Sequence, residues 1–243
     1  EDVEQYGRAQ HACGRAGLDG VHDGCMGHIL CDHHGNVTLH ASQRVDNTNG
    51  TLSAGQQLAV RDSGAARALA ISNAGGLAEA GQAVTLHAGS LTGNGTLQSA
   101  GDLNIDLAGN FESAADLRAG GNAALVVGGT FTNRAKVQAG QAATVKATQI
   151  NNTAAGEIAG QTRTAVEATG SVINRGLLDG AQTRIDAASL TNLGTGRIYG
   201  DHVAIGAGTF LNDTETLNGE RKDAVVAARE RLEARQAELD KAK

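Results

Sequence analysis

Proline and tryptophan are absent from these 243 residues, and the only aromatics are Tyr6, Phe111, Phe131, Tyr199 and Phe210. Lack of proline excludes collagen, whose triple helix needs it together with a glycine at every third position. Long apolar runs are missing as well. Nothing approaches the ~20 residues of a membrane-spanning helix, and no signal-peptide pattern opens the chain. Basic residues are outnumbered, 20 Lys and Arg against 26 Asp and Glu. With few cations to neutralise phosphates and few rings to stack on bases, a nucleic-acid partner is not expected. Leu, Ile, Val and Phe make up about one residue in five, a value at the border for disorder. The net charge of −6, however, is too weak to keep such a chain expanded.

What is present is glycine, 34 residues of it, and much of it is periodic. Gly35, Gly55, Gly81, Gly101, Gly120, Gly140, Gly160, Gly180 and Gly200 lie 19 or 20 residues apart, except for one step of 26. A short alternating segment follows each glycine, as in Leu103, Ile105 and Leu107 or Val203 and Ile205. A second apolar column holds Leu91, Phe111, Phe131, Ile150, Val172, Leu190 and Phe210, and Asn133, Asn152, Asn174, Asn192 and Asn212 stand two positions beyond it. A third column, from Leu52 through Leu97, Leu117, Val137, Ile158 and Leu178 to Ile198, precedes the glycines.

Three period-2 segments per twenty residues describe one coil of a parallel β-helix. Helical repeats are longer, about 33 residues or more, and have a 3.6-residue period that is not seen here. The fold class expected is therefore all-β, a parallel β-helix of about nine coils of ~20 residues with a C-terminal α-helix. Coils stacked at about 4.8 Å make a rod roughly 40 Å long. Phe111 and Phe131 should touch, and the asparagines should form an amide ladder along the axis. Glycine at each corner is expected to supply positive φ. Missing prolines follow too, because each would remove a donor from the ladder.

The segment Gly-Thr-Leu-Ser-Ala-Gly (50–55) followed by Gln-Gln-Leu-Ala-Val resembles the repeats of filamentous haemagglutinin, as do Thr-Phe-Thr-Asn (130–133), Ser-Leu-Thr-Asn (189–192) and Gly-Thr-Phe-Leu-Asn (208–212). Val-Val-Ala-Ala-Arg-Glu-Arg-Leu-Glu (225–233) is similar to a stretch that follows a coil in the same family, and the likeness covers about residues 35–233. The family comprises exoproteins of Gram-negative bacteria that use two-partner secretion, among them adhesins and contact-dependent growth inhibition effectors. The resemblance implies a right-handed β-helical shaft, secreted and displayed at the cell surface. It further implies an outer-membrane two-partner secretion transporter as partner, acting through regions outside this chain, and receptors or glycans of host or neighbouring bacterial cells. The family's secretion domain carries Asn-Pro motifs, which a chain without proline does not contain.

The ends depart from the repeat, so the expected organisation is an irregular Cys/His-rich segment over 1–34, the haemagglutinin-repeat β-helix over 35–218 and a charged helix over 219–243. The first segment holds Cys13, Cys25 and Cys31 with His11, His22, His28, His33 and His34, donors of the kind that bind Zn²⁺. Their spacing matches no standard zinc signature, and three cysteines make no complete disulfide framework. A degenerate coil, an unpaired-thiol remnant and a stretch read from an altered frame all remain open for it. Beyond Asp223 come strong helix formers with alternating charge, and Leu232 and Leu239 sit one heptad apart. Two leucines are too few for a coiled-coil seam, and a helix here would serve to cap the last coil.

No catalytic, cofactor-binding or metal-binding residue is assigned, and no cofactor is expected. Asp201-His202 and the pair Asp102 and Asp106 fall on strand positions of the repeat, where polar residues are the rule. Gly93-Asn94-Gly95 and Gly128-Gly129 lack the lysine or the helix of a phosphate loop. The Asn-x-Ser/Thr triplets at Asn36, Asn49, Asn94, Asn151 and Asn212 are what a chain rich in Asn and Thr supplies by chance. The expected function is a shaft segment, a stiff spacer and interaction surface without catalysis. The alternative is a β-helical carbohydrate-active enzyme, which needs clustered carboxylates and long insertions to wall a cleft. Only one six-residue insertion is present, within about residues 61–76.

Overall fold

Alternation along each segment decides which side chains turn inward. In Ala83–Ala88 and in Asp102–Leu107, every second residue is buried. Such a strand buries one face only, and it pairs in parallel with the strand one coil away. A computed structural model, which describes residues 28–30 (backbone only), 35–64 and 66–214, shows this pattern repeated as a parallel β-solenoid of about nine turns. Among the described residues there is no helix. The helix expected over 219–243 lies outside them, as do the three cysteines, His11, His22, His33 and His34.

Each coil contributes strands to three faces. The first face is a nine-stranded parallel sheet that includes Thr51–Ala54, Leu77–Ala80, Thr96–Ser99, Leu117–Ala119 and Lys136–Ala139. It begins with the backbone of His28–Leu30, paired with Thr51–Ser53. The second face runs from Val37–Ala41 through Gln57–Asp62, Ala83–Ala88 and Asp102–Leu107 into the long strands Ala123–Asn133 and Ala142–Asn152. These long strands, with Gln182–Leu193 and His202–Asp213, continue round the corner into the third face. In the first three coils the third face is a separate three-stranded sheet of Arg44–Asp46, Ala70–Ser72 and Ser90–Thr92. Gly128 and Gly129 stand at a register shift in the Ala123–Asn133 strand, where Val127 pairs with Ala147 but Thr130 pairs with Gln149.

Equivalent residues stack down the bore. One third-face column reads Val45, Ile71, Leu91, Phe111, Phe131, Ile150, Val172, Leu190 and Phe210, one residue per coil. Phe111 and Phe131 stack as expected, with ring centroids 5.6 Å apart and planes at 22°. The amide ladder also forms. Asn133, Asn152, Asn174 and Asn192 each donate through Nδ2 to Oδ1 of the next asparagine at 2.7–2.9 Å, ending at Asn212. A second, shorter ladder links Asn47 to Asn73 at 2.8 Å.

The corner glycines are a correction. Among the described glycines, positive φ is confined to Gly75, Gly93 and Gly194, none of them in the periodic column. What those corners require is close approach. A Cβ on Gly140 would lie 2.1 Å from the carbonyl oxygen of Gly120, one coil away, because at the corner the side-chain direction points along the axis. Gly120 and Gly140 are glycine so that backbones can stack, not so that they can turn, whereas Gly160 takes the inward place of Ala139 one coil on.

Volume is traded across the same corner. Ala119 and Ala139 on the first face stand near Ala123 and Ala143 on the second, all buried. On the coil after Ala139 and Ala143 the first-face position becomes Gly160 and then Gly180, while the second-face partner becomes Thr164 and then Thr183. The Thr164 hydroxyl accepts from the Gly160 N–H at 2.9 Å and donates to the Asp179 carbonyl. Thr183 donates to the Tyr199 carbonyl at 2.6 Å. Methyl bulk lost on one side is replaced on the other, and the added polar atom is satisfied.

Candidate functional site

Strand geometry fixes what the rod shows to solvent. Residues that alternate with the buried columns point outward and form rows at the coil spacing of about 4.8 Å. On the second face one row runs His87, Asp106, Val126, Lys146, Glu167 and Asp186. It is charged, and Lys146 pairs with Glu167 at 2.8 Å. Half-exposed pairs of this kind contribute about 1 kcal/mol at most. On the third face, from the fifth coil on, the rows Thr130, Gln149, Ser171, Ser189 and Thr132, Asn151, Ile173, Thr191 carry no charge, and Glu112 stands next in line on the fourth coil. Along the first-to-second corner an open groove of about 520 Å³ extends over four coils from Arg118 to Asp179, floored by alanines and corner glycines.

The carboxylates singled out in the sequence serve the stack itself. Asp102 accepts from the Asn122 N–H at 2.8 Å and from Asn122 Nδ2 at 3.1 Å, one coil on. Asp106 accepts from Arg67 at 2.8 Å and lies 3.6 Å from His87 Nε2. Four residues apart on one strand, Asp102 and Asp106 have backbones about 13 Å apart. The two-carboxylate geometries of glycoside hydrolysis span about 5–9.5 Å between carboxyl groups. Asp201 and His202 are exposed neighbours on the ninth coil, with no hydrogen bond between their side chains among those described.

Electrostatics agree. Every described carboxyl whose pKa departs from its ordinary value is held down. Asp46 is lowered by the Thr48 hydroxyl and N–H, Asp62 by the N–H groups of Leu69 and Gly64, and Asp116 by the Arg118 guanidinium and the Lys136 N–H. A general acid at neutral pH needs the opposite displacement. These three carboxyls are anions bound to neighbouring donors. Among the described residues no three His, Cys, Asp or Glu side chains converge on a point that would hold a metal ion.

The Asn-x-Ser/Thr sites have unequal surroundings. Asn212 accepts from Asn192 Nδ2 at 2.7 Å and belongs to the ladder. Asn94 accepts from the Gly75 N–H at 3.1 Å, Asn36 from the Gln57 N–H at 3.1 Å, and Asn49 is exposed with φ of 54°. Asn151 sits half-buried in the uncharged third-face row, its Oδ1 without a partner.

The repeat vocabulary, the stacked columns and the amide ladders have a match. The haemagglutinin-repeat family model fits residues 34–89, 80–135 and 127–236, which together span more than four-fifths of the chain. The chain belongs to the haemagglutinin-repeat family. No curated protein and no solved structure matches it. The first two matched windows each cover more than two coils. A haemagglutinin repeat is thus a stacked pair or more in this molecule, as a single coil leaves both of its edges unpaired.

Two elements of this structure carry no signal in the repeat. Asn47 and Asn73 escaped the asparagine column because the 26-residue coil between them breaks the spacing, although each stands two places beyond its apolar residue, Val45 or Ile71. Arg67, which reaches Asp106, lies inside the insertion, where no periodicity points to its partner.

Proposed function

We propose that this chain is a length of shaft from a secreted, surface-displayed filamentous haemagglutinin-like adhesin or contact-dependent growth inhibition effector of a Gram-negative bacterium. It acts as a stiff spacer and lateral interaction surface, without catalysis. The observation that carries this reading is the unbroken nine-stranded first-face sheet from His28–Leu30 to Arg197–Ile198, joined coil to coil in register. Such additive nearest-neighbour stacking sets distance and stiffness. An outer-membrane two-partner secretion transporter would export the parent through regions beyond this chain. Receptors or glycans on host or neighbouring cells would meet the parent's exposed surfaces.

The test is display. An epitope placed at the exposed Gly194–Thr195 turn in the full-length parent should be reached by antibody on intact cells only when the partner transporter is present. Retention of the epitope inside the cell in both cases would sink the shaft reading. Incubation of the purified chain with acidic and neutral polysaccharides should leave their chain lengths unchanged, and depolymerisation would favour an enzyme.

A further inference from the structure

The third face is laced along the rod except at one step. The sheet of Arg44–Asp46, Ala70–Ser72 and Ser90–Thr92 ends at the third coil. The next third-face strand, Phe111–Ser113, pairs only onward with Phe131–Asn133. On either side of this step the first and second faces remain continuous, through Leu97–Ser99 against Leu117–Ala119 and Ala83–Ala88 against Asp102–Leu107. Two faces are joined there and one is not.

Side chains break at the same place. The amide ladder stops at Asn73 and resumes at Asn133, and Gly93 and Ser113 take the two positions between. Gly93 has φ of 106°, and a Cβ there would meet the Ala74 N at 2.5 Å. Ser113 turns its hydroxyl to Ala115 O in its own coil, at 2.9 Å, instead of to the coil beside it. A water-sized cavity of about 10 Å³ lies between the two layers, lined by Leu91, Gly93, Phe111 and Ser113 among others.

Beside this gap sits the insertion. Its Arg67 has φ of 50°, a region that L side chains other than Asn and Asp seldom occupy. From the second coil it passes over the third and binds the fourth, donating to Asp106 O at 3.1 Å and to Asp106 Oδ1 at 2.8 Å. Gly89 lets the loop cross, since a Cβ there would lie 2.4 Å from Arg67 O. Asp106 stands next to the end of its second-face strand, Asp102–Leu107, where the chain turns toward the unlaced face.

We infer that the step between the third and fourth coils is a joint built into the rod, and that Arg67 closing on Asp106 is the clasp that holds it shut. With the clasp released, residues 35–100 and 101–214 pivot about the two laced faces and the third face opens. The inference goes beyond the shaft reading and stands whatever the rod displays.

Hydrogen exchange on the 243-residue chain tests it. In the unaltered protein, amides of residues 111–114 should exchange at least ten-fold faster than those of the equivalent 131–134, which are paired on both sides. Arg67→Gly removes the guanidinium and relieves the backbone strain at once, while Asp62 still holds the loop by Gly64 N and Leu69 N. It should speed exchange at 111–114 by a further ten-fold and leave 143–147 and 164–166 unchanged. Arg134→Ala breaks the comparable surface pair with Glu112, across a laced step, and should leave 111–114 as they were. Equal rates at 111–114 and 131–134 would overturn the joint. A uniform acceleration along the rod, or none, in Arg67→Gly would overturn the clasp.

Discussion

Asn133 Nδ2 donates to Asn152 Oδ1 at 2.9 Å and, with its other hydrogen, to Glu157 O at 3.1 Å. One buried amide thereby ties its own coil to the side chain and to the backbone of the next. The same two-bond arrangement recurs at Asn152 and Asn174, so the ladder is a polar core inside an apolar one. Buried polar groups of this kind stabilise only while every member is satisfied.

Asn152→Ala should therefore cost more than the bonds it removes. It takes the side-chain partner from one hydrogen of Asn133 Nδ2, from Asn174 Oδ1 and from Leu177 O, in a site with 0% exposure. A loss of about 3 kcal/mol is expected, with a Tm lowered by on the order of 10 °C. Thermal unfolding followed by circular dichroism at 218 nm reads it, and a change under 2 °C would show that the ladder contributes little.

Ser113→Asn should act in the opposite direction. The position is the coil-four equivalent of Asn133, whose Oδ1 now has only the Ala135 N–H at 3.4 Å. A new amide there extends the long ladder by one rung and gains about 1 kcal/mol. The urea midpoint should rise, and a fall would mean that the adjoining cavity does not accept the larger side chain.

Among the glycines, tolerance to alanine should follow the approach distance. Gly140→Ala drives a Cβ to 2.1 Å from Gly120 O and must separate two coils, whereas Gly109→Ala meets Gly89 O at 3.2 Å. The first variant should lose several kcal/mol or fail to fold, and the second about 1 kcal/mol or less. Equal urea midpoints for the two would refute close stacking as the reason for the glycine column.

Acid should weaken the hold of Asp62 on the insertion. Asp62 is held below its ordinary value of 3.8 by the Leu69 N–H first, with Gly64 N–H and His87 adding to it. A carboxyl lowered in the folded state stabilises fully above its unfolded pKa, and the contribution fades as pH falls through the folded value. The stability gap between the unaltered protein and Asp62→Asn should thus be constant near neutral pH and narrow as pH drops below about 4. Denaturant titrations from pH 2 to pH 7 measure it, and a gap that widens with acid would reverse the assignment.

How much of this was legible follows from what a period can encode. Register, bore residues and the long amide ladder are each fixed by residues about 20 apart, so Phe131 and Asn152 declare their neighbours in the sequence itself. The reason for the corner glycines was not legible: sequence records a missing side chain but not whether φ or a neighbouring backbone demands it. Arg67 and Asp106 lie 39 residues apart across the one stretch without a repeat, and no spacing rule joins them. Asp102 reads in the sequence as a polar strand position of the repeat and no more; the structure shows it spent on Asn122.

The exchange of bulk between Gly160 and Thr164, set against Ala139 and Ala143, makes two positions carry one decision. Recombining coils at the corner would separate the members and leave either a void or two threonine-sized groups in one space. Crossovers placed on the third face, at Asn133 or Asn152, keep each pair intact and inherit a ready-made amide contact. A coil exchange that respects these contacts would thus be framed from asparagine to asparagine and not from glycine to glycine.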